Sequence, residues 1–225
     1  MNIMSVRLQD PAAFIRENTA VETASLVPEI PLHLATDITP IWQASEAFLE
    51  AHGIEPPFWA FAWPGSQLIA RYILDNPQRV EGKRVLDVAC GCGLAAIAAV
   101  KAGASTAAAN DIDPMALEAT ALNATLNAVT VALCPGDLVG SKPDCDLLVI
   151  GDVCYNEAMA ARIMPWLLEC ARHCEVWLCD PGRHYAPKLD LDILIQQNVQ
   201  TTQELESTDQ RTTTLFSLRG ISVQD

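Results

Sequence analysis

The feature that most constrains this chain is an alternation of short apolar runs with helical runs between residues 83 and 180. "RVLDVA" (84–89), "STAAAN" (105–110), "VTVALC" (129–134), "CDLLVIGD" (145–152) and "CEVWLCD" (174–180) read as strands. Helical segments are predicted over 93–102, closed by Gly103, and over 114–127, with Asp113 as N-cap and Pro114 at the first helical position. Two more are predicted over 157–171 and 185–197. Continuously apolar strands separated by helices imply a parallel sheet buried on both faces.

The end of the chain breaks the alternation. "VQTTQELES" and "RTTTLFSLRG" are strand-like and joined by a few polar residues, a link too short for a parallel crossover. A mostly parallel sheet finished by an antiparallel hairpin is the arrangement of the seven-stranded, Rossmann-like class I methyltransferases within the α/β class. Residues 1–55 are expected to form an N-terminal helical extension, with helices over "PAAFIRENTAV" and "IWQASEAFLEAHG". Residues 56–225 then form the methyltransferase domain. It opens on the aromatic cluster "PPFWAFAWPG" and the helical run "PGSQLIARYILDNP", in which Leu68, Ile69, Tyr72 and Ile73 share one face.

Composition narrows the function classes. Of 225 residues, 50% are hydrophobic and 19% charged, as in a globular enzyme. No apolar run reaches the ~18 residues of a membrane helix, and the first twenty residues lack the layout of a secretory signal or transit peptide. A cytoplasmic protein without a membrane partner is expected. The net charge of −14 and the lack of a basic run argue against nucleic acid and favour a cationic partner, such as a lysine-bearing protein face. The eight cysteines contain no C-x-x-C pair and the four histidines no ligand spacing, so no metal site is expected and the thiols are read as reduced.

The chemistry centres on "RVLDVACGCGLAAIAAV". Gly91-Cys92-Gly93-Leu94-Ala95-Ala96 satisfies the dinucleotide pattern G-x-G-x-x-G/A. Asp87, at the end of the preceding strand, would repel a pyrophosphate but complements the cationic methionine end of S-adenosylmethionine. The amides around Gly91 and Gly93 can take the small carboxylate of that cofactor. Ala89 stands where this fold often has a first glycine, and alanine is small enough to do little harm. Asp111, in "NDIDP", is placed to hold ribose hydroxyls; Ile112 is placed to pack on the adenine, and Asp113 caps the next helix. Asp137, in "CPGDL", is placed to accept from the adenine amino group. Strand ends in open α/β sheets face the ligand crevice.

The fourth strand ends in "GDVCYN", with Asp152 and Tyr155 just beyond it. A carboxylate beside the transferred methyl suits an ammonium acceptor, which Asp152 captures and orients. Trp59, Trp63 or Tyr155 are candidate aromatic walls, with core packing the competing role for the tryptophans. "CDPGRHY" puts Asp180 and Arg183 on the same rim.

"PFWAFAWPG", "LDVACGCG", "ANDIDP", "IGDVCYNE" and "CDPGR", in this order over roughly residues 28–185, closely resemble the electron-transfer-flavoprotein β-subunit lysine methyltransferases. The resemblance implies S-adenosylmethionine as cofactor and methylation of lysines on the flavoprotein β subunit. It also implies that Trp63 lies against the cofactor and that Asp152 of D-x-x-Y faces the lysine. Methylation of a ribosomal protein or of a small-molecule amine is the alternative, and a binding module without chemistry or an NAD-dependent oxidoreductase stands further off.

Overall fold

The computed structural model describes residues 10–36, 57–186, 191–201 and 208–218. A short helix α1 (Pro11–Asn18), capped by the Asp10 carboxylate on the Ala13 amide, leads into a hairpin of β1 (Ala20–Ala24) and β2 (Val27–Leu34). A single 3₁₀ turn (Phe58–Ala60) precedes helix α2 (Pro64–Asp75). The alternating region follows: β3 (Arg84–Val88), α3 (Leu94–Lys101), β4 (Thr106–Asp111), α4 (Pro114–Leu126), β5 (Ala132–Pro135), β6 (Leu147–Gly151), α5 (Glu157–Cys170) and β7 (Glu175–Asp180). The chain closes with β8 (Asp192–Gln200) and β9 (Gln210–Ser217).

The main sheet has seven strands in the order β5-β4-β3-β6-β7-β9-β8. All neighbours are parallel except β9, which runs antiparallel to both β7 and β8. This is the expected class I methyltransferase sheet with its antiparallel end. The direction of winding reverses between β3 and β6, which opens a crevice beyond their carboxyl ends.

Period-two alternation sends each strand's side chains to two different cores. Val85, Leu147, Val149, Trp177 and Cys179 face α2, α3 and the hairpin; Leu86, Val88, Leu148, Ile150, Val176 and Leu178 face α5. Both faces are covered over the middle of the sheet, so β3, β6 and β7 are buried almost throughout, which is why these runs are mostly apolar in sequence. Helix α3 is built on alanines at 95, 96, 98 and 99, all buried, and these small side chains let it lie close against its neighbours.

Two expectations need correction. The predicted helix over 185–197 does not extend over its second half: residues 192–200 make the edge strand β8, paired along its length with β9. A bulge between Ile193 and Ile195 puts consecutive apolar residues on the strand and hides its period of two. The hairpin is therefore present, but its first strand begins earlier than "VQTTQELES" suggests. The N-terminal extension is not wholly helical: α1 forms within "PAAFIRENTAV" as expected, but residues 20–34, between the two expected helices, form a hairpin. Val27, Ile30, Leu32 and Leu34 are buried in the same core as α2 and α3. The predicted helix in "IWQASEAFLEAHG" lies outside the described residues. Among the described residues no helix is long and apolar enough to cross a membrane.

Candidate active site

The turn after β3 forms a concave strip of backbone. Ala89, Gly91 and Gly93 all have positive φ, at 53°, 52° and 77°, and the turn is closed by the Gly93 amide on the Cys90 carbonyl at 2.8 Å and tied to β4 by the Cys90 amide on the Asn110 carbonyl at 3.0 Å. Glycine is required at 93: a Cβ there would lie 2.6 Å from the Thr120 side chain. Helix α4 fixes the turn from behind. The Thr120 hydroxyl donates to the Gly91 carbonyl at 3.3 Å, and the Asn123 amide donates to the Cys92 carbonyl at 2.9 Å.

Carboxylates surround this strip. Asp87 is buried beneath it and accepts the Ala96 amide at 3.1 Å. Burial pushes the Asp87 carboxyl up to about 7; the Ala96 amide opposes this and the charge of Asp111 adds to it. Asp111 accepts the Gly91 amide at 3.1 Å and the Asp113 amide at 3.0 Å, so it ties the end of β4 to the turn. Asp113 caps α4 through the Met115 amide. Ile112 is 68% exposed beside them, an open apolar face at the crevice. Asp137 accepts its own Val139 amide and forms an ion pair with Arg162 of α5, so it reaches the crevice already engaged. Asn110 holds this side together by donating to the Cys134 and Gly136 carbonyls, both at 2.7 Å.

Across the crevice, Asp152 follows β6 with φ of 60°, an unusual backbone for any residue but glycine. Three contacts hold it there. Its amide donates to the Cys179 carbonyl at 3.0 Å, its Oδ2 accepts the Gly65 amide at 2.8 Å, and its Oδ1 lies 3.5 Å from the Arg183 guanidinium. Gly65 is the second residue of α2, so the carboxylate sits at a helix N-terminus that favours negative charge. A Cβ on Gly65 would lie 2.5 Å from Asp152 Oδ2, and one on Gly151 would lie 3.1 Å from the Gly65 carbonyl carbon. The Trp63-Pro64-Gly65 cluster thus exists to bring a backbone amide onto Asp152.

An aromatic rim surrounds this carboxylate. Trp63 donates its indole N–H to the Phe58 carbonyl, with ring centroids 6.0 Å apart, and Phe58 lies 6.4 Å from Tyr155. Phe58 is 57% and Tyr155 51% exposed. Arg183 passes 6.0 Å from the Trp63 ring centroid, its amide anchored on Asp180 Oδ1 at 2.7 Å. Trp59 is not part of the rim; it is buried with Ile15, Ala116 and Ala119. The sequence reading overlooked Phe58 and Gly65. Their only signal is their place in the aromatic cluster, and nothing in sequence links them to Asp152.

The donor set fits S-adenosylmethionine. Asp87 and Asp111 suit cationic and hydroxylated groups; the Gly91 amide is held by Asp111 and the Gly93 amide by the Cys90 carbonyl, so the turn has room for one small carboxylate at most, and the two acidic charges along it disfavour a diphosphate. Among the described residues no cluster able to hold a metal ion is found, and all eight cysteines are unpaired.

Comparison with known proteins bears on the same region. Residues 71–151 match the model of the ribosomal protein L11 methyltransferase (PrmA) family. The chain is 43% identical to the electron transfer flavoprotein beta subunit lysine methyltransferase of Danio rerio over 76% of its length and 67% of the relative's. It is 44% identical to the Homo sapiens protein of that name, covering 76% and 66%. With the Caenorhabditis elegans homolog the identity is 34%, covering 79% of each. The chain therefore spans about two thirds of the length of the vertebrate relatives. Among solved structures, a Thermoplasma acidophilum protein superposes with a TM-score of 0.53 at 16% identity, covering 70% of this chain and 89% of its own. Magnesium protoporphyrin IX methyltransferase of Synechocystis, solved with bound SAH, gives 0.50 at 16%, covering 69% and 83%. Both likenesses concern the fold.

Proposed function

Since this chain belongs to the electron transfer flavoprotein β-subunit lysine methyltransferase family, we propose that it methylates lysines of that flavoprotein's β subunit, using S-adenosylmethionine. The observation that carries the reading is the Asp152 carboxylate, held by the Gly65 amide within an aromatic rim and across the crevice from the glycine turn. S-adenosylmethionine supplies an electrophilic methyl group on a sulfonium.

In this reading the turn around Gly91 and Gly93 receives the methionine carboxylate, for which the Gly91 amide exchanges its bond to Asp111. Asp87 offsets the positive end, Asp111 accepts from the ribose hydroxyls, and Ile112 covers one face of the adenine. Asp137, shared with Arg162, accepts from the adenine amino group. Trp63 stands between cofactor and acceptor. Asp152 draws the lysine ammonium between Phe58 and Tyr155, whose rings exclude water and favour cationic nitrogen. With the cofactor bound, Asp152 and the rings of Phe58 and Tyr155 would hold the acceptor nitrogen, its proton lost to water, toward the methyl group. Most of the rate enhancement is positional, since the displacement needs the nitrogen in line with the C–S bond.

The acidic surface supports a protein acceptor that presents lysines and disfavours nucleic acid. The eight unpaired thiols suit the cytoplasm. A ribosomal acceptor is less well supported: the match to the L11 methyltransferase model ends at residue 151 and takes in neither Asp152 nor Tyr155. Incubation of the purified flavoprotein with this protein and methyl-labelled S-adenosylmethionine tests the reading. Label on β-subunit lysine is expected; label absent from the β subunit but present on a ribosomal protein or a small amine would contradict it.

A further inference from the structure

An acidic residue at the acceptor site creates a chemical problem. A full negative charge beside the lysine favours its ammonium form, whereas attack on the methyl group needs the neutral amine. The structure contains a counterweight. Arg183 lies 3.5 Å from Asp152 Oδ1, and its position is fixed twice over. Its backbone amide is bound to Asp180 Oδ1 at 2.7 Å, and its guanidinium passes 6.0 Å from the Trp63 ring centroid. The Asp152 and Arg183 side chains are only 10% and 20% exposed, so water screens the pair weakly.

Resting on the lysine-methylation reading above, we propose that Arg183 is a positioning residue that shares the Asp152 carboxylate, so that the site captures the acceptor ammonium yet lets its proton go. Without Arg183, Asp152 would bind the ammonium more tightly and hold it charged. With it, the lysine meets a partly compensated carboxylate and deprotonates at lower pH.

Several described residues face Asp152. The N-terminus of α2 presents the Gly65 amide, with the Trp63 ring just before it; the end of β7 presents Asp180, and the turn beyond it Arg183. Among the described residues the Tyr155 phenol and the thiols of Cys154 and Cys179 are further titratable neighbours, and burial pushes both thiols up, Cys154 to about 12. These thiols therefore stay protonated at neutral pH; the ionisation of Asp87 is common to the wild type and the Arg183 variants, so the part of the acidic limb of kcat that moves with Arg183 is assigned to the lysine.

The experiment compares kcat and KM for the flavoprotein β subunit across pH in the wild-type protein, Arg183→Gln and Arg183→Lys, with S-adenosylmethionine binding measured alongside by calorimetry. Arg183→Gln is expected to move the acidic limb of kcat upward by about one pH unit, a loss of about tenfold below the limb. That loss recovers at alkaline pH and is accompanied by a lower KM. Arg183→Lys, which keeps the charge, is expected to keep the wild-type limb. Should Arg183→Gln fail to bind S-adenosylmethionine, Arg183→Met, which keeps an aliphatic stem against Trp63, carries the same expectation. A limb that stays in place, or a loss of kcat equal at every pH, would overturn the proposal while leaving the lysine-methylation reading intact. A wild-type protein that binds S-adenosylmethionine but labels no lysine would overturn that reading and this proposal with it.

Discussion

The carboxylate of Asp152 accepts the backbone amide of Gly65 at 2.8 Å, although the two residues are 87 positions apart in the chain. The bond joins the end of β6 to the start of α2, and it leaves no room for a side chain at position 65. It places the candidate acceptor carboxylate at a helix N-terminus and within the same aromatic rim as Trp63.

Gly65→Ala tests this relationship. Its Cβ would meet Asp152 Oδ2 at 2.5 Å, so either the carboxylate or α2 must move. Overpacking of this kind costs about 1–3 kcal/mol, and a displaced carboxylate lowers kcat by about 10²-fold. Denaturant unfolding and steady-state kinetics check both, with S-adenosylmethionine affinity expected to change much less than kcat.

Asp87 gives a pH prediction whose sign is fixed by burial. An ordinary aspartate in the unfolded chain titrates near about 4, whereas the buried Asp87 carboxyl titrates at about 7. The native chain therefore holds this proton more tightly. The resulting stabilisation is complete below about pH 4 and is lost as pH rises through about 7. Asp87→Asn removes that dependence, so its denaturation midpoint falls less than that of the wild type from acid to neutral pH. A cationic guest favours the ionised form. Affinity for S-adenosylmethionine should therefore rise across neutral pH in the wild type and stay flat in Asp87→Asn, as calorimetry would show.

Ala89 has φ of 53° and an exposed side chain at the mouth of the glycine turn. A left-handed alanine carries a cost of about 1–2 kcal/mol that glycine avoids. Ala89→Gly is expected to gain up to about 1 kcal/mol after the greater chain entropy of glycine is counted, and to raise the melting temperature by about 2–4 °C. Thermal unfolding decides this.

Phe58→Ala separates acceptor contact from folding. The ring is 57% exposed, so its removal should change stability by about 0.5 kcal/mol or less. It stands between Trp63 and Tyr155, where it can meet the lysine stem and its cationic head. KM for the β subunit is expected to rise up to about tenfold, with S-adenosylmethionine affinity unchanged.

Sequence was most informative where local chemistry and long-range packing agree. β3, β6 and β7 are mostly apolar because both sheet faces are covered there, and Asp113-Pro114 starts α4 as its cap predicts. It was least informative where packing overrides pattern. Pro28 and Pro31 disguise β2, though Ile30, Leu32 and Leu34 alternate with period two. The bulge in β8 turned an edge strand into an apparent helix. Two tryptophans four residues apart look alike in sequence, yet Trp59 is buried in a core and Trp63 caps α2 at the rim. The Asp152–Gly65 and Asp152–Arg183 contacts join residues from separate crossovers, so no spacing rule reveals them.

The most direct test of the account is peptide mapping by mass spectrometry of the flavoprotein β subunit after incubation with S-adenosylmethionine and either the wild-type protein or Asp152→Asn. Asparagine keeps an acceptor for the Gly65 amide but removes the charge. The account predicts methylated lysines with the wild type and a loss of about 10²-fold or more with the variant, while both bind S-adenosylmethionine alike. An unmodified β subunit, or equal methylation by both proteins, would contradict it.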